Sequence, residues 1–190
     1  MPYGLLVDGH LKDLQDVKYL LSPQDLMAAE MIPELVKTGV SCFKIEGRLK
    51  GPEYVALTTQ VYRAAVDSAW KNMDGYAATF SLDNELRNNL KQVFARGQDK
   101  DFDGLTPGFL DGTQNQMLVR GKAPKHRGVY VGDVTKKFRR NGEHWITVAL
   151  SDVSIKKGDG LAFDEGSPEN EIGGVIYDLE VSYPLHENFA

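Results

Sequence analysis

The chain has 190 residues, 42% hydrophobic and 26% charged, the balance of a globular protein able to bury a core in one large or two small domains. A net charge of −5 excludes polyanion binding by bulk charge, and a single cysteine, Cys42, excludes an internal disulfide or a multi-cysteine metal site built within the chain. No apolar run approaches the ~18 residues of a membrane span, and the N-terminus lacks the order of a signal or transit peptide.

Leu5 to Val7, the Asp8-Gly9 turn and Leu11 predict a short hairpin, so the chain reads as if it opened inside a domain. Val17 to Leu21 reads as a short strand. Ser22-Pro23-Gln24-Asp25 then has the order of a helix start: Ser22 as cap, Pro23 in the first turn, Asp25 answering the cap three residues on. That predicted helix runs through Leu26, Ala29 and Glu30 until Pro33 interrupts or restarts it, and Gly39 ends it. Val40 to Ile45 reads as the next strand. Pro52 opens the strongest helix, with Tyr54, Leu57, Val61, Ala65 and Ala69 on one face at helical spacing. Another helix is predicted over Leu82 to Ala95, capped by Ser81, with Leu86, Leu90, Val93 and Phe94 as its apolar face. Between Gly97 and Pro124 the Gly, Asp and Pro content marks loops and a domain boundary.

Beyond Pro124 the pattern becomes β. Gly128 to Val134 alternates like a strand, Asn141-Gly142 is a hairpin turn, and Trp145 to Leu150 is the returning strand. Lys157 to Gly160 turns into Leu161 to Phe163, and Gly173-Gly174 precedes a last strand over Val175 to Val181. Short strands at this spacing predict a small β-barrel or part of one.

The segment Ser41 to Lys50 carries the most chemistry. Alternation puts Cys42, Lys44, Glu46 and Arg48 on one face and Phe43 and Ile45 on the other. The charged face suits the end of a strand in a βα unit, where reactive groups gather, or else a charged loop whose Lys and Glu pair at the surface. Cys42 itself reads as a small buried residue. Between Arg120 and Arg140 lie eight cations against one acid, Asp133. Lys125, Arg127, Lys136, Lys137, Arg139 and Arg140 are candidates for a nucleic-acid backbone, with Tyr130 and Phe138 as stacking surfaces; a solvated hairpin tip is the alternative. His10, His126, His144 and His186 have no metal-ligand spacing. Asp99 to Gly104 matches only the first half of a calcium loop, because Leu110 stands where the bidentate acid is due. No metal site is expected.

Three blocks carry a family resemblance. They are Leu21 to Leu26 with Ile32-Pro33-Glu34-Leu35; Phe43-Lys44-Ile45-Glu46-Gly47-Arg48-Leu49-Lys50 followed by Pro52 to Val55; and Arg96-Gly97, Pro107 to Gly112 and Pro124 to Val129. Together they resemble the C-terminal part of the collagenase-like peptidases, peptidase family U-32, with the third block most like its ribosomal RNA hydroxylase branch. The resemblance implies an α/β plus β architecture: the last two βα units of a TIM-type (β/α) barrel, followed by a small translation-factor-like β-barrel. The chain then holds a truncated version of the family's architecture. The implied divisions are 1–75 for the barrel units, 76–124 for a helix and connector, and 125–190 for the β-barrel.

Relatives in that family hydroxylate bases of ribosomal or transfer RNA, so the resemblance implies an RNA base hydroxylase as parent enzyme. The alternatives are a collagenase-like protease and a non-catalytic RNA-binding remnant. Lys44, Glu46 and Arg48 would be the site residues at the barrel mouth, where an Arg or Lys could hold a phosphate or carboxylate co-substrate. The implied partners are ribosomal RNA or tRNA, with self-association through exposed barrel edges. The implied location is the cytoplasm, or an organelle stroma if the parent carries a transit peptide. The iron–sulfur cluster of the full-length family implies cysteines that this chain lacks, since Cys42 matches a serine position. The match also loosens over Gln98 to Leu105.

Overall fold

The computed structural model describes residues 3–72, 79–98, 102–113, 116, 118–165 and 170–182. The chain divides into two compact units, Met1–Gly132 and Asp133–Ala190.

The first unit opens with the expected hairpin. β1 (Leu5–Val7) and β2 (His10–Lys12) pair antiparallel, with Leu6 opposite Leu11. Asp8 and Gly9 both take positive φ, 51° and 78°, as the two-residue turn requires. The strand expected over Val17 to Leu21 does not form. Lys18 and Tyr19 instead donate their amides to the carbonyl of Gly121, and Lys18 accepts from Tyr3, so hydrogen bonds to loop backbone distant in sequence replace a ladder.

The helix expected to start at Ser22 is also corrected. Asp25–Leu26 is β3, paired parallel to β4 (Leu105–Thr106), which lies some eighty residues on. The amides of Gln24, Asp25 and Met27 donate to Leu118, Gly104 and Thr106. These long-range bonds outcompete the local capping pattern, whose gain is only about 1 kcal/mol. Helix begins later, with a 3₁₀ turn at Ala29–Met31 leading into α1 (Ile32–Lys37), and Pro33 lies in the first turn rather than breaking a helix. Gly39, at φ 94°, ends α1 with its amide on Val36.

α2 (Pro52–Lys71) follows Gly51 and has Pro52 as its first residue; its buried stripe is Thr58, Val61, Ala65 and Ala69. α3 (Asn84–Val93) is shorter than expected and is capped by Asp83, not Ser81: the Asp83 carboxylate accepts from the Leu86 amide at 2.7 Å. α2 packs against both α1 and α3. The core joins Ala29, Val61, Leu82 and Leu90, with Met27, Leu57, Tyr62, Phe80 and Leu86 around them. Val61 and Ile32 are fully buried, each a stabilisation of about 1.5–3 kcal/mol.

No strand forms over Val40 to Ile45, contrary to the expectation. The predicted alternation survives without a ladder: Phe43, Ile45 and Gly47 are half-buried, while Cys42, Lys44, Glu46 and Arg48 are exposed. An amphipathic segment can hold extended backbone against the underlying residues, but without a neighbouring strand it has no ladder to join.

Among the described residues the second unit forms two antiparallel strand pairs. β5 (Gly132–Arg140) and β6 (Glu143–Leu150) meet at Asn141-Gly142, whose φ angles of 54° and 86° are those of the favoured hairpin turn. β5 begins four residues later than expected. β7 (Gly160–Phe163) and β8 (Ile172–Val175) pair antiparallel, with Leu161 opposite Gly174. Gly173 and Gly174 thus lie inside β8 rather than before it, and glycine is needed at 173, where a Cβ would come within 2.8 Å of the Leu161 carbonyl oxygen. Ile176 is the unit's one buried hydrophobic side chain among the described residues. Among those residues the sheets are all two-stranded, and no helix is long and apolar enough to cross a membrane.

Candidate functional site

The segment before α2 holds the first group of candidate residues. Lys44 Nζ lies 3.7 Å from Glu46 Oε2, with the two side chains 84% and 66% exposed. Arg48 joins through its backbone, donating its amide to Glu46 Oε1 at 3.1 Å. Gly47 is needed between them, since a Cβ there would meet the Val55 side chain at 2.6 Å. This is a solvated turn, and a pair so exposed adds little stability. Cys42 is exposed as well, which corrects the expectation of a buried thiol; no paired strand covers it.

A more enclosed polar cluster lies one step further along the chain, and sequence reasoning missed it. Asp25 of β3, Lys50 just before α2, Tyr54 in its first turn, and Phe94 and Arg96 after α3 converge. Tyr54 donates its hydroxyl to Asp25 Oδ2 at 3.3 Å. Lys50 Nζ sits over the Phe94 ring, and Arg96 lies 5.3 Å from the same ring while donating to the Pro23 carbonyl at 3.2 Å. Burial pushes the Asp25 carboxyl up in pKa, outweighing the opposing pull of Lys50, Tyr54 and Arg96. Burial likewise pushes Lys50 down, against the pull of Asp25. Both partners move toward neutrality, so desolvation exceeds their mutual attraction. Tyr54 is raised to about 12, first by burial and then by the Asp25 charge. Beside them lies a cavity of about 20 Å³, room for a single water, lined by Asp25, Tyr54, Thr58, Tyr62, Phe94 and others.

His126 fastens the far side of Phe94's environment. Its ring stacks on Phe94 at 5.9 Å and 19°. Nε2 donates to the Gln92 carbonyl at 2.9 Å and Nδ1 accepts from the Ala95 amide at 3.1 Å, the tautomer assigned from this network. Gln98 donates to the Gly128 carbonyl and Gln92 accepts from the Val129 amide, so residues 126–129 are bound to the end of α3. The only sequence signals for this cluster are the blocks that hold Asp25, Lys50, Tyr54 and Arg96, and the apolar face of the predicted helix that holds Phe94. By pattern alone Asp25 reads as part of a helix cap, and Lys50 as one more charge among its neighbours.

The second group of candidate residues divides between the units. Lys125 is exposed and Arg127 half-buried in the first unit. Lys136, Lys137, Arg139 and Arg140 are all exposed on β5. Lys136, Phe138 and Arg140 share one strand face, with Lys137 and Arg139 on the other. Across the hairpin the rings of Phe138 and Trp145 lie nearly parallel, 6.5 Å apart and inclined by 24°. Arg140 Cζ stands 4.1 Å over Trp145, and Lys136 Nζ 5.7 Å over Phe138. Arg140 also makes a two-pronged pair with Glu180, at 2.5 and 2.9 Å, which holds the Glu180 carboxyl below its usual range. Lys137 and Arg139 make no ion pair among the described residues.

Asp99 to Asp101 and His186 lie outside the described residues. Asp103 is taken up by Arg87 and by the Leu105 amide. Among the described residues no three His, Cys, Asp or Glu side chains gather as metal ligands. An iron–sulfur cluster held by several thiolates does not fit a chain with one exposed cysteine.

A family model described as peptidase family U32 matches residues 1–120. An uncharacterized protease of Methanocaldococcus jannaschii is 36% identical over 155 residues, 78% of this chain and 35% of its own length. A collagenase of Porphyromonas gingivalis is 32% identical over 170 residues, 88% of this chain and 37% of its own. A tRNA hydroxylation protein P of Haemophilus influenzae is 34% identical over 141 residues, 73% of this chain and 26% of its own. A 23S rRNA 5-hydroxycytidine synthase of Escherichia coli matches at 28% over 162 residues, 85% of this chain and 23% of its own. The chain therefore spans 26% to 37% of the length of these first three relatives. No solved structure gives a significant match. With well over half of its residues covered by the family model, the chain belongs to peptidase family U32.

Proposed function

We propose that this chain works as part of an enzyme that hydroxylates a base of RNA, where it supplies closing βα units of a (β/α) barrel and a basic surface for the substrate. The observation that carries the reading is β5. It holds Lys136, Lys137 and Arg139 out to solvent beside exposed aromatic surface, on a chain whose net charge is −5. Local cations on an acidic molecule give an address for phosphates rather than general stickiness. The names of the relatives that act on tRNA and on ribosomal RNA support the same substrate class. In this reading Lys44, Glu46 and Arg48 form the lip of the site, and Lys125 and Arg127 supply further phosphate contacts from the first unit. The enzyme works where transfer and ribosomal RNA are, in the cytoplasm.

The test is binding of tRNA by the full chain between about 50 and 200 mM salt. Affinity is expected to fall steeply with salt, and neutralising Lys137 and Arg139 together should flatten the log–log slope by about 1.4–1.8, ~0.7–0.9 for each phosphate no longer neutralised. Binding that is absent, or whose salt slope ignores the double substitution, would remove RNA from this surface.

A further inference from the structure

We infer that Phe138, Trp145 and Arg140 form a stacking site for unpaired nucleotides of RNA, and that Glu180 occupies the place of a nucleotide phosphate on Arg140 when no RNA is bound. The inference rests on the RNA reading above and narrows it to single-stranded substrate. It concerns the second unit, beyond the residues that the family model matches.

The face is built as a platform. Two aromatic rings lie side by side at 6.5 Å, nearly parallel, on the same side of a two-stranded hairpin. Phe138 and Trp145 are incompletely covered, in a unit whose one buried hydrophobic among the described residues is Ile176. Large rings left half-exposed beside cations are the elements with which proteins stack bases without reading their sequence, while a duplex keeps its bases stacked on one another and offers mainly phosphates. Over Trp145 the plane of a base is already replaced by a guanidinium, that of Arg140 at 4.1 Å. The outer edge of that guanidinium is taken by both oxygens of Glu180, the fork geometry a phosphate would use. An incoming phosphate thus competes with the Glu180 carboxylate for Arg140, and the base attached to it finds Trp145 and Phe138 beside it. Lys137 and Arg139, on the opposite strand face, contribute charge but cannot reach the rings, so stacking and phosphate attraction are separable by substitution.

The experiment uses the full chain carrying Trp70→Phe. Trp70 is exposed on α2, and Trp145 is then the sole tryptophan. An oligouridylate of about 12 nucleotides and an RNA duplex of equal phosphate content are titrated against its emission. The single strand is expected to quench Trp145 and the duplex is not. Glu180→Gln should bind the single strand several-fold more tightly, whereas Asp178→Asn, which removes an equal charge paired to Lys157 instead, should change it far less. Trp145→Ala should weaken binding about tenfold or more with an unchanged salt slope. If RNA binds but neither quenches Trp145 nor responds to Glu180→Gln, or if Asp178→Asn has the same effect, the stacking site is overturned while the RNA reading stands. If no RNA binds, both fall.

Discussion

Tyr62→Phe removes one oxygen and tests how β3, and with it Asp25, is fixed to α2. The Tyr62 hydroxyl accepts the Ala28 amide at 2.8 Å, and Ala28 is 5% exposed. The phenol is kept from ionising by burial, against the pull of that amide. With phenylalanine, the ring packing against the core cluster is retained but the buried amide loses its acceptor. A buried donor left unpaired costs about 1–3 kcal/mol, and the phenylalanine ring recovers a little of this through its lower desolvation cost, so a net loss of about 1–2 kcal/mol is expected. Urea unfolding followed by circular dichroism gives the change in stability, with an unchanged m-value if the unfolded state is unaffected. Hydrogen exchange adds a local readout, in which the Ala28 amide should lose protection before its neighbours do. Arg63→Ala, one residue along on the exposed face, breaks only the solvated pair with Asp67 and should have no measurable effect. A Tyr62→Phe protein within about 0.5 kcal/mol of the parent, with Ala28 still protected, would refute the reasoning.

Four further substitutions have outcomes set by the same structure. Asp83→Ala should destabilise the first unit by about 1 kcal/mol in denaturant melts, because the Leu86 amide loses its cap. Gly104→Ala should cost about 3 kcal/mol or more: φ is 78°, and a Cβ would lie 2.8 Å from the Arg96 nitrogen and 3.0 Å from the Ala95 Cβ. Gly9→Ala has the same φ but open space, so about 1 kcal/mol is expected. For Asp25→Asn the sign comes from burial, which raises the folded-state pKa above the ordinary 3.8. The stability linked to Asp25 is then present below its unfolded pKa and lost as pH rises through the folded one. Relative to the parent, Asp25→Asn should therefore gain stability as pH rises above about 4, and a difference constant with pH would reject burial as the cause.

The parts of the fold legible in the sequence are those determined by local chemistry. Asp8-Gly9 and Asn141-Gly142 need two adjacent positive φ angles, and both dipeptides supply residues that tolerate them. Pro52 and the 3.6-residue stripe through Val61 and Ala65 suffice for α2. The differences lie where distant backbone decides. Ser22 to Asp25 has the letters of a capping box, yet Gly104, Thr106 and Leu118 receive the amides of this stretch. Those acceptors sit in a Gly- and Asp-rich region that shows no strand pattern of its own, so the parallel pair is hidden from either side. The same holds for the polar cluster. Asp25, Lys50, Tyr54, Phe94 and Arg96 come from three separated segments, and nothing in their spacing announces that they meet.

Segment 40–50 shows how pattern and pairing differ in what they determine. Its alternation is realised side chain by side chain, with Phe43 and Ile45 turned inward and Lys44, Glu46 and Arg48 outward. Among the described residues Val40 gives its amide to Leu35 and Lys50 gives its own to Gly47, and no ladder runs between them. Facing is set locally by apolar burial; a ladder needs a second strand, and its directional bonds are what fix a strand end in place. Lys44 and Glu46 therefore have the spacing of a site lip but the 3.7 Å, solvent-screened pairing of a surface turn. Asp25, by contrast, sits in a ladder with β4, and its carboxyl is sufficiently desolvated to move its pKa. The residue that local pattern places in a cap thus has the stronger electrostatic signature. A catalytic role for the Lys44 face requires a neighbouring strand that brings those side chains to the same degree of burial.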